Sequence, residues 1–288
     1  MRILITGRHG QVAHELQRRM GKVGELIVLG RDQLDLAQAG QIRQQIQKAR
    51  PDLIINAAAY TAVDLAETER DVAFAINAVA PGILAEEALA LDIPLIHYST
   101  DYVFDGCKVG PYYEDDAPNP LGVYGQSKLA GERAITEVQG KHLILRTSWV
   151  YSTHGRNFLL TMQRLLQEKA ELRVVADQIG APTWAGMLAD STLALVERWQ
   201  SGNAKWGTYH LTAQGQTSWF GFAQAIGEAL KQQGKPCANL LPIPSRDYPT
   251  PAARPLNSCL DCTRLQHDWG VSLPDWQVAL NQCLAEQT

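Results

Sequence analysis

Along the first half of the chain, short apolar runs alternate with longer stretches whose apolar positions recur every three or four residues. Runs of the first kind, bounded by Gly, Pro or Asp, read as buried strands, and stretches of the second kind as helices packed over them. The predicted strands are residues 1–6, 25–30, 52–59, 93–98 and 141–147. Between them lie predicted helices at 14–20, at 38–50 (stopped by Pro51), at 69–91, and from Tyr124 onward. Strands alternating with helices predict an α/β fold, a Rossmann-like doubly wound parallel sheet, over residues 1–151. The pattern then becomes less regular. Helices are predicted at 157–169, 187–199, 218–232 and 275–287, strands at 172–177 and 207–211, and a Pro-rich loop at 240–255. Residues 152–288 are expected to form mainly a smaller substrate-binding lobe, interleaved with the end of the sheet.

The first strand runs into Gly7-Arg-His-Gly10-Gln11-Val12-Ala13. Gly7 permits a tight turn, Gly10 lets backbone approach a pyrophosphate, and Ala13 is small enough for close helix–strand packing. Gln11 and Val12 belong to the same turn, and the helix that follows offers free N–H groups and a positive dipole end to phosphate. The spacing is G-x-x-G-x-x-A and not G-x-G-x-x-G, so its position at the first βα turn carries the argument. At the end of the second strand, Gly30-Arg31 stand where an acidic residue would bind the ribose 2′-hydroxyl of NAD. An arginine there suits a 2′-phosphate and predicts NADPH, with NADH as the lesser alternative. Asp35 and Leu36 lie just beyond, as neighbours of the adenine. Small residues up to Ala59 leave room for a flat cofactor, and Tyr60 and Thr61 follow at the crevice. Asn77, polar within an apolar helix, needs a partner, which could be a loop or a ligand.

Ser99-Thr100-Asp101 ends the fourth predicted strand, at the edge where open α/β sheets bind ligands. Some two dozen residues on, Tyr124-Gly-Gln-Ser-Lys128 begins a helix. Spacing of four puts Tyr124 and Lys128 on one face, where a cation would lower the phenol pKa. A hydroxyl, a phenol and an ammonium converging there suit proton transfer to a carbonyl oxygen during hydride transfer. Trp149, at another strand's carboxyl end, suits a substrate wall or the core.

A formal net charge of −4 over 288 residues argues against nucleic acid or an anionic membrane as the main partner. No signal peptide and no apolar run long enough to span a bilayer is read, so a soluble cytoplasmic protein is expected. The five cysteines, including Cys259-x-x-Cys262, lack a metal-binding framework and are expected to be free thiols.

With these residues in view, the chain resembles the extended short-chain dehydrogenases/reductases and, among them, the dTDP-4-dehydrorhamnose reductases. The resemblance is carried by Asn56-Ala-Ala-Ala-Tyr-Thr-Ala-Val-Asp64, His97-Tyr-Ser-Thr-Asp-Tyr-Val-Phe-Asp-Gly106, the segment around Tyr124 and Lys128, and Leu145-Arg-Thr-Ser-Trp-Val-Tyr151. Asp177-Gln-Ile-Gly-Ala-Pro-Thr183 and Tyr248-Pro-Thr-Pro-Ala-Ala-Arg-Pro-Leu-Asn-Ser258 extend it over nearly the whole chain. It implies hydride transfer to C4 of a 4-keto-6-deoxy sugar on dTDP. Tyr124 would protonate the alkoxide, Lys128 would assist it and hold the nicotinamide ribose, and Thr100 would bond the keto oxygen. Asp101, Tyr102 and Trp149 would shape the sugar pocket, and Arg254 and Asn257 would lie near the diphosphate. Ala13 stands where relatives carry Gly, and Cys259 where they carry Arg. Some relatives form dimers bridged by Mg²⁺ on carboxylates; the matching positions, Gly186 and Gln277, supply none, so a monomer or weak homodimer without a bound metal is expected. Two alternatives remain open: a reductase or epimerase of another nucleotide sugar, and a non-catalytic NADP-binding regulatory subunit.

Overall fold

The computed structural model describes residues 1–287. Its sheet contains β1 (Arg2–Thr6), β2 (Glu25–Leu29), β3 (Leu53–Asn56), β4 (Leu95–Thr100) and β5 (His142–Thr147), completed by a Gly207–His210 strand. The spatial order is β2-β1-β3-β4-β5 and then Gly207–His210, with every pair parallel. The direction of winding reverses between β1 and β3. Their carboxyl ends therefore part to leave the crevice in which this architecture binds ligands.

Both faces of the sheet are covered, which is why its central strands carry apolar residues toward both sides, with buried polar residues mainly toward their carboxyl ends. Ile3, Ile5, Leu53 and Ile55 pack on one side with Leu16 and Met20 of the Gln11–Met20 helix, Leu159 of Phe158–Glu168 and Leu188 of Ala185–Gln200. Leu4 and Ile54 point to the opposite side, onto Ile42 and Ile46 of Ala39–Ala49, Leu84 of Ala80–Ala90 and Ile135 of Val123–Glu137. The strand predicted at 52–59 ends at Asn56, and its last three residues form crevice floor. The first helix begins at Gln11, three residues earlier than its apolar pattern indicated.

The helix predicted at 69–91 is continuous from Arg70 to Ala90 but widens to a π turn at Ala75–Val79. By length and composition it could cross a membrane, contrary to the reading that no such run exists. More than half of its most apolar window is nevertheless buried inside the fold. Asn77 sits in the π turn. Its Oδ1 accepts from the Tyr60 N–H at 2.8 Å, and its Nδ2 donates to the Tyr60 carbonyl and the Ser127 hydroxyl, both at 3.0 Å. The partner this residue needed is thus a crevice loop together with the Val123–Glu137 helix. That helix lies close because two glycines face backbone: a Cβ on Gly131 would run into the Asn77 carbonyl, and one on Gly125 into the Tyr102 carbonyl.

Besides the two-residue strands Ile179–Gly180, Thr183–Trp184 and Thr217–Ser218, the second half holds two longer elements that the pattern did not predict. The expected loop at 240–255 contains a strand, Asn239–Ile243, paired in parallel with Glu171–Val175. Pro242 argues against a strand, but in a two-stranded ribbon each strand is an edge and a missing N–H is tolerated. A short helix, Thr263–Trp269, buries Leu265 and Trp269 one turn apart.

Near the start of the Ala185–Gln200 helix, Arg19 collects three carboxylates. It bonds the fully buried Glu15, Asp190 at 2.8 Å and Glu286 at 3.0 Å. Gly186 packs on the same guanidinium, whose Nη2 would lie 2.7 Å from a Cβ there. Carboxylates are therefore present beside Gly186, but arginine holds them. Among the described residues no group of three His, Cys, Asp or Glu is arranged to hold a metal ion, and the five cysteines are free thiols.

The glycine contact yields a direct test of the helix placement. Gly131→Ala should force the Val123–Glu137 helix off the π turn and lower stability by about 1–3 kcal/mol, the range for overpacked sites. A urea midpoint equal to that of the wild type would contradict this packing.

Candidate active site

Gly7 adopts φ +81°, and a Cβ there would lie 3.0 Å from the Ala58 Cα, so the turn after β1 can sit against β3 only with glycine. Gly10 caps the following helix without a side chain, leaving the first-turn N–H groups to face the crevice. The crevice holds a cavity of about 450 Å³. Its wall includes Gly7, Gly10, Gln11 and Val12 on the phosphate-turn side, with Arg31, Ala59 and Thr61 beyond, and Ser99, Tyr124 and Lys128 at the far end. A contiguous cavity of about 290 Å³ shares Gly7 and Arg31 and adds Asp35, Leu36 and Tyr60. The structure thus gathers the whole predicted cofactor set along one groove.

At the carboxyl end of β4, Thr100 is buried, and its hydroxyl donates to Asp101 Oδ1 at 3.0 Å. The Tyr124 phenol lies near enough to the Thr100 hydroxyl to feel it. Burial pushes that phenol up to about 12, against the lowering effect of Thr100 and with a small upward push from Asp101. Lys128 is almost fully buried, and its Nζ reaches the Tyr98 carbonyl at 2.7 Å and His97 Nε2 at 3.2 Å. Burial lowers its pKa to about 8, while the nearby Glu132 opposes the shift. The expectation that Lys128 lowers the phenol pKa is not met in this state, because the ammonium is bonded to β4 and desolvation dominates at Tyr124. Asp101 is raised to about 6 by burial, against hydrogen bonding from Ser258 and Thr100, and its Oδ2 has no partner.

A second cavity, of about 440 Å³, opens on the other side of Tyr102. The Tyr102 ring meets Tyr124 edge-on at 5.4 Å and forms the wall between the two spaces. Arg254 lines this second cavity and is aimed by Asp64 at 2.9 Å. Trp149 and Asn257 do not line it. Trp149, at φ +48°, stacks on Trp219 at 3.6 Å, so Trp219 presents the indole surface to the cavity. Asn257 spends its Nδ2 on the Lys108 and Gly110 carbonyls, at 2.9 and 2.7 Å, clamping the 107–120 loop.

Several lining residues escaped the sequence reading. Thr147 ends β5 in register with Thr100, and its buried Oγ1 has no partner while the residue borders the 450 Å³ groove. Its place at a strand's carboxyl end was the available signal. Arg8, His9 and Arg156 border the same groove, and Phe158, Arg173 and Tyr248 the second cavity. These come from irregular or distant segments that no local pattern brings together.

Comparison with known proteins adds an independent finding. The family model described as the RmlD substrate binding domain matches residues 1–288. The chain is 45% identical over 294 residues to the dTDP-4-dehydrorhamnose reductase of Burkholderia thailandensis, covering 99% of each. It is 44% identical to the reductase of the same name from Escherichia coli K12, covering 99% of this chain and 98% of the relative. The crystal structure of dTDP-4-dehydrorhamnose reductase from Bacillus anthracis in complex with NADP matches with a TM-score of 0.91 and 36% identity, covering 99% of each chain.

The catalytic-type helix is fixed by one buried ion pair. Glu132 accepts from Arg146 Nη2 at 2.6 Å and from the Ser99 hydroxyl at 2.5 Å, and both side chains of the pair are at most 6% exposed. Glu132→Ala would leave the guanidinium buried without a counter-charge, and should cost about 3–5 kcal/mol in chemical denaturation. A loss under about 1 kcal/mol, the range for surface pairs, would show that water reaches Arg146.

Proposed function

Because the chain belongs to the dTDP-4-dehydrorhamnose reductase family and is an oxidoreductase, we propose that it reduces the C4 ketone of dTDP-4-dehydro-L-rhamnose to dTDP-L-rhamnose with NADPH, in the cytoplasm. The observation that carries this reading is the meeting of the two cavities at Tyr102 and Tyr124, with Thr100 beneath and Lys128 one turn on. A dinucleotide in the first groove and a nucleotide sugar in the second would bring their reacting ends to that wall.

The groove fits the cofactor. Thr147 offers an unpartnered hydroxyl, and Lys128 has two hydrogen-bond partners for its three N–H groups, leaving one for a ribose. When bound, reduced nicotinamide supplies the hydride. Tyr124, held protonated by burial, donates its proton to the oxygen that becomes an alkoxide. Thr100 orients that oxygen, and the nearby ammonium of Lys128 offsets negative charge left on the phenol. Tyr102 borders the sugar with the buried Asp101 behind Thr100, while Arg254 meets the diphosphate with a fork that Asp64 has already aimed. Arg31, exposed at the adenosine end, favours the 2′-phosphate of NADPH over the bare hydroxyl of NADH. Arg19 supplies positive charge to Glu15, Asp190 and Glu286, and carboxylates already paired in this way support the reading of a monomer or weak homodimer that does not depend on Mg²⁺.

The test is loss of NADPH absorbance with purified protein and enzymatically generated dTDP-4-dehydro-L-rhamnose. Tyr124→Phe should reduce kcat by about 10²–10⁴-fold, the usual span of general acid catalysis. Wild-type turnover with an active mutant would preserve the reaction and reject the proton donor. No turnover despite cofactor binding would favour another nucleotide sugar. The ammonium is the form that acts, so kcat should be steady at neutral pH and fall as pH rises through about 8, where Lys128 loses its proton. For oligomeric state, sedimentation with Mg²⁺ and with chelator should give the same mass. A dimer present only with the metal would overturn that part.

A further inference from the structure

A row of buried polar side chains crosses the sheet beneath the crevice and ends on Lys128. Thr6, Asn56 and His97 stand directly opposite one another in the parallel registers of β1, β3 and β4. Thr6 Oγ1 lies 2.6 Å from Asn56 Oδ1, Asn56 Nδ2 lies 2.9 Å from His97 Nδ1, and His97 Nε2 lies 3.2 Å from Lys128 Nζ. None of the four is more than 1% exposed. Asn56 and His97 line neither the cofactor groove nor the second cavity. A three-strand row of buried polar groups is costly unless its hydrogen bonds are used.

The row has a direction, set by its last member. Burial, with the Lys128 charge second, holds His97 far below its ordinary pKa, so the ring is neutral and carries one proton. If that proton were on Nε2, an N–H would face the ammonium, donor against donor. A charged Lys128 therefore requires a bare Nε2 and a proton on Nδ1, which must meet an oxygen. Turning the Asn56 amide supplies one, since its O and N are distinguished only by their network. Its Nδ2 then donates to Thr6 Oγ1, which also accepts from the Ala58 N–H at 3.2 Å. Other groups near Lys128 do not fill this role. Glu132, on its own helix, is paired with Arg146 of β5, and the Tyr98 phenol of β4 is turned away onto Thr192. Asp101 bonds Thr100, which also lies close to Tyr124.

We infer that His97, with its tautomer fixed by Asn56 and Thr6, is a positioning residue for Lys128: it accepts a hydrogen bond from the ammonium through Nε2 and keeps the lysine charged in a desolvated site. Together with the Tyr98 carbonyl it fixes two of the three N–H directions and leaves the third for the crevice. The effect on turnover rests on the part given to Lys128 in the proposed reduction, whereas the tautomer does not.

Two measurements test this. In wild-type protein labelled with the heavy nitrogen isotope at histidine, the His97 signals at neutral pH should show a protonated Nδ1 and a bare Nε2. A protonated Nε2 would overturn the inference, whether or not the enzyme reduces the expected sugar. In the second measurement, the alkaline limb of kcat should move down by about one pH unit in His97→Leu, the size of one hydrogen bond to a charged group. His97→Gln, which keeps an acceptor and a donor, should return it toward the wild-type position. A leucine variant that folds with an unmoved limb, or a glutamine variant shifted as far as leucine, would reduce His97 to core filling and overturn the inference. If the leucine variant does not fold, the tautomer measurement decides.

Discussion

One carboxylate, Glu132, holds together the parts on which the site depends. It sits one turn beyond Lys128 on the Val123–Glu137 helix, accepts from Ser99 on β4, and is paired with Arg146 on β5. Three elements are thereby locked at the point where a slip of one residue would move Tyr124 away from Thr100. The pair lies in a dry layer, since Arg146 also stacks over Phe104 and bonds the Glu114 carbonyl. Such a pair adds little net stability compared with apolar residues of the same size, but it is intolerant of being half removed. Its contribution is to the uniqueness of the arrangement.

Desolvation governs the electrostatics around that lock. It raises Tyr124 and Asp101 and lowers Lys128 and His97, favouring the neutral form of each. The lysine keeps its charge only where backbone and side-chain acceptors surround it. The second cavity is organised differently, by a half-exposed ion pair between Arg254 and Asp64 and by stacked indoles. The segment from Asp105 to Asn119 is held both by its own polar contacts, with Asp105 accepting from Tyr112 at 2.7 Å and from Asn119 at 3.0 Å, and by Asn257 from outside.

Much of this was legible in the sequence where local pattern and local chemistry agree. Apolar runs gave the strands because both sheet faces are covered, and the spacing of Tyr124 and Lys128 gave their shared helix face. The glycine turn was readable despite its irregular spacing because a strand precedes it and a helix follows. Legibility failed where distant residues decide. Pro242 concealed a strand whose only partner is about seventy residues earlier in the chain. The π turn at Asn77 depends on a loop and a second helix, and nothing local encodes it. Asn257 is expected near the diphosphate only from the resemblance, whereas its hydrogen bonds serve the 107–120 loop, which no local pattern encodes. Trp149 was read as a wall residue, but its stack on Trp219 hands that surface to a residue seventy positions away.

The sheet's outermost strand, Gly207–His210, is contributed by the second half of the chain and hydrogen-bonds to β5 along four residues. A fragment ending after residue 151 would leave the buried edge of β5 open, a row of unpaired N–H and C=O groups flanked by apolar side chains. Such an edge recruits other strands. The two halves are therefore joined in one sheet, and residues 1–151 taken alone would expose an edge that the intact chain covers.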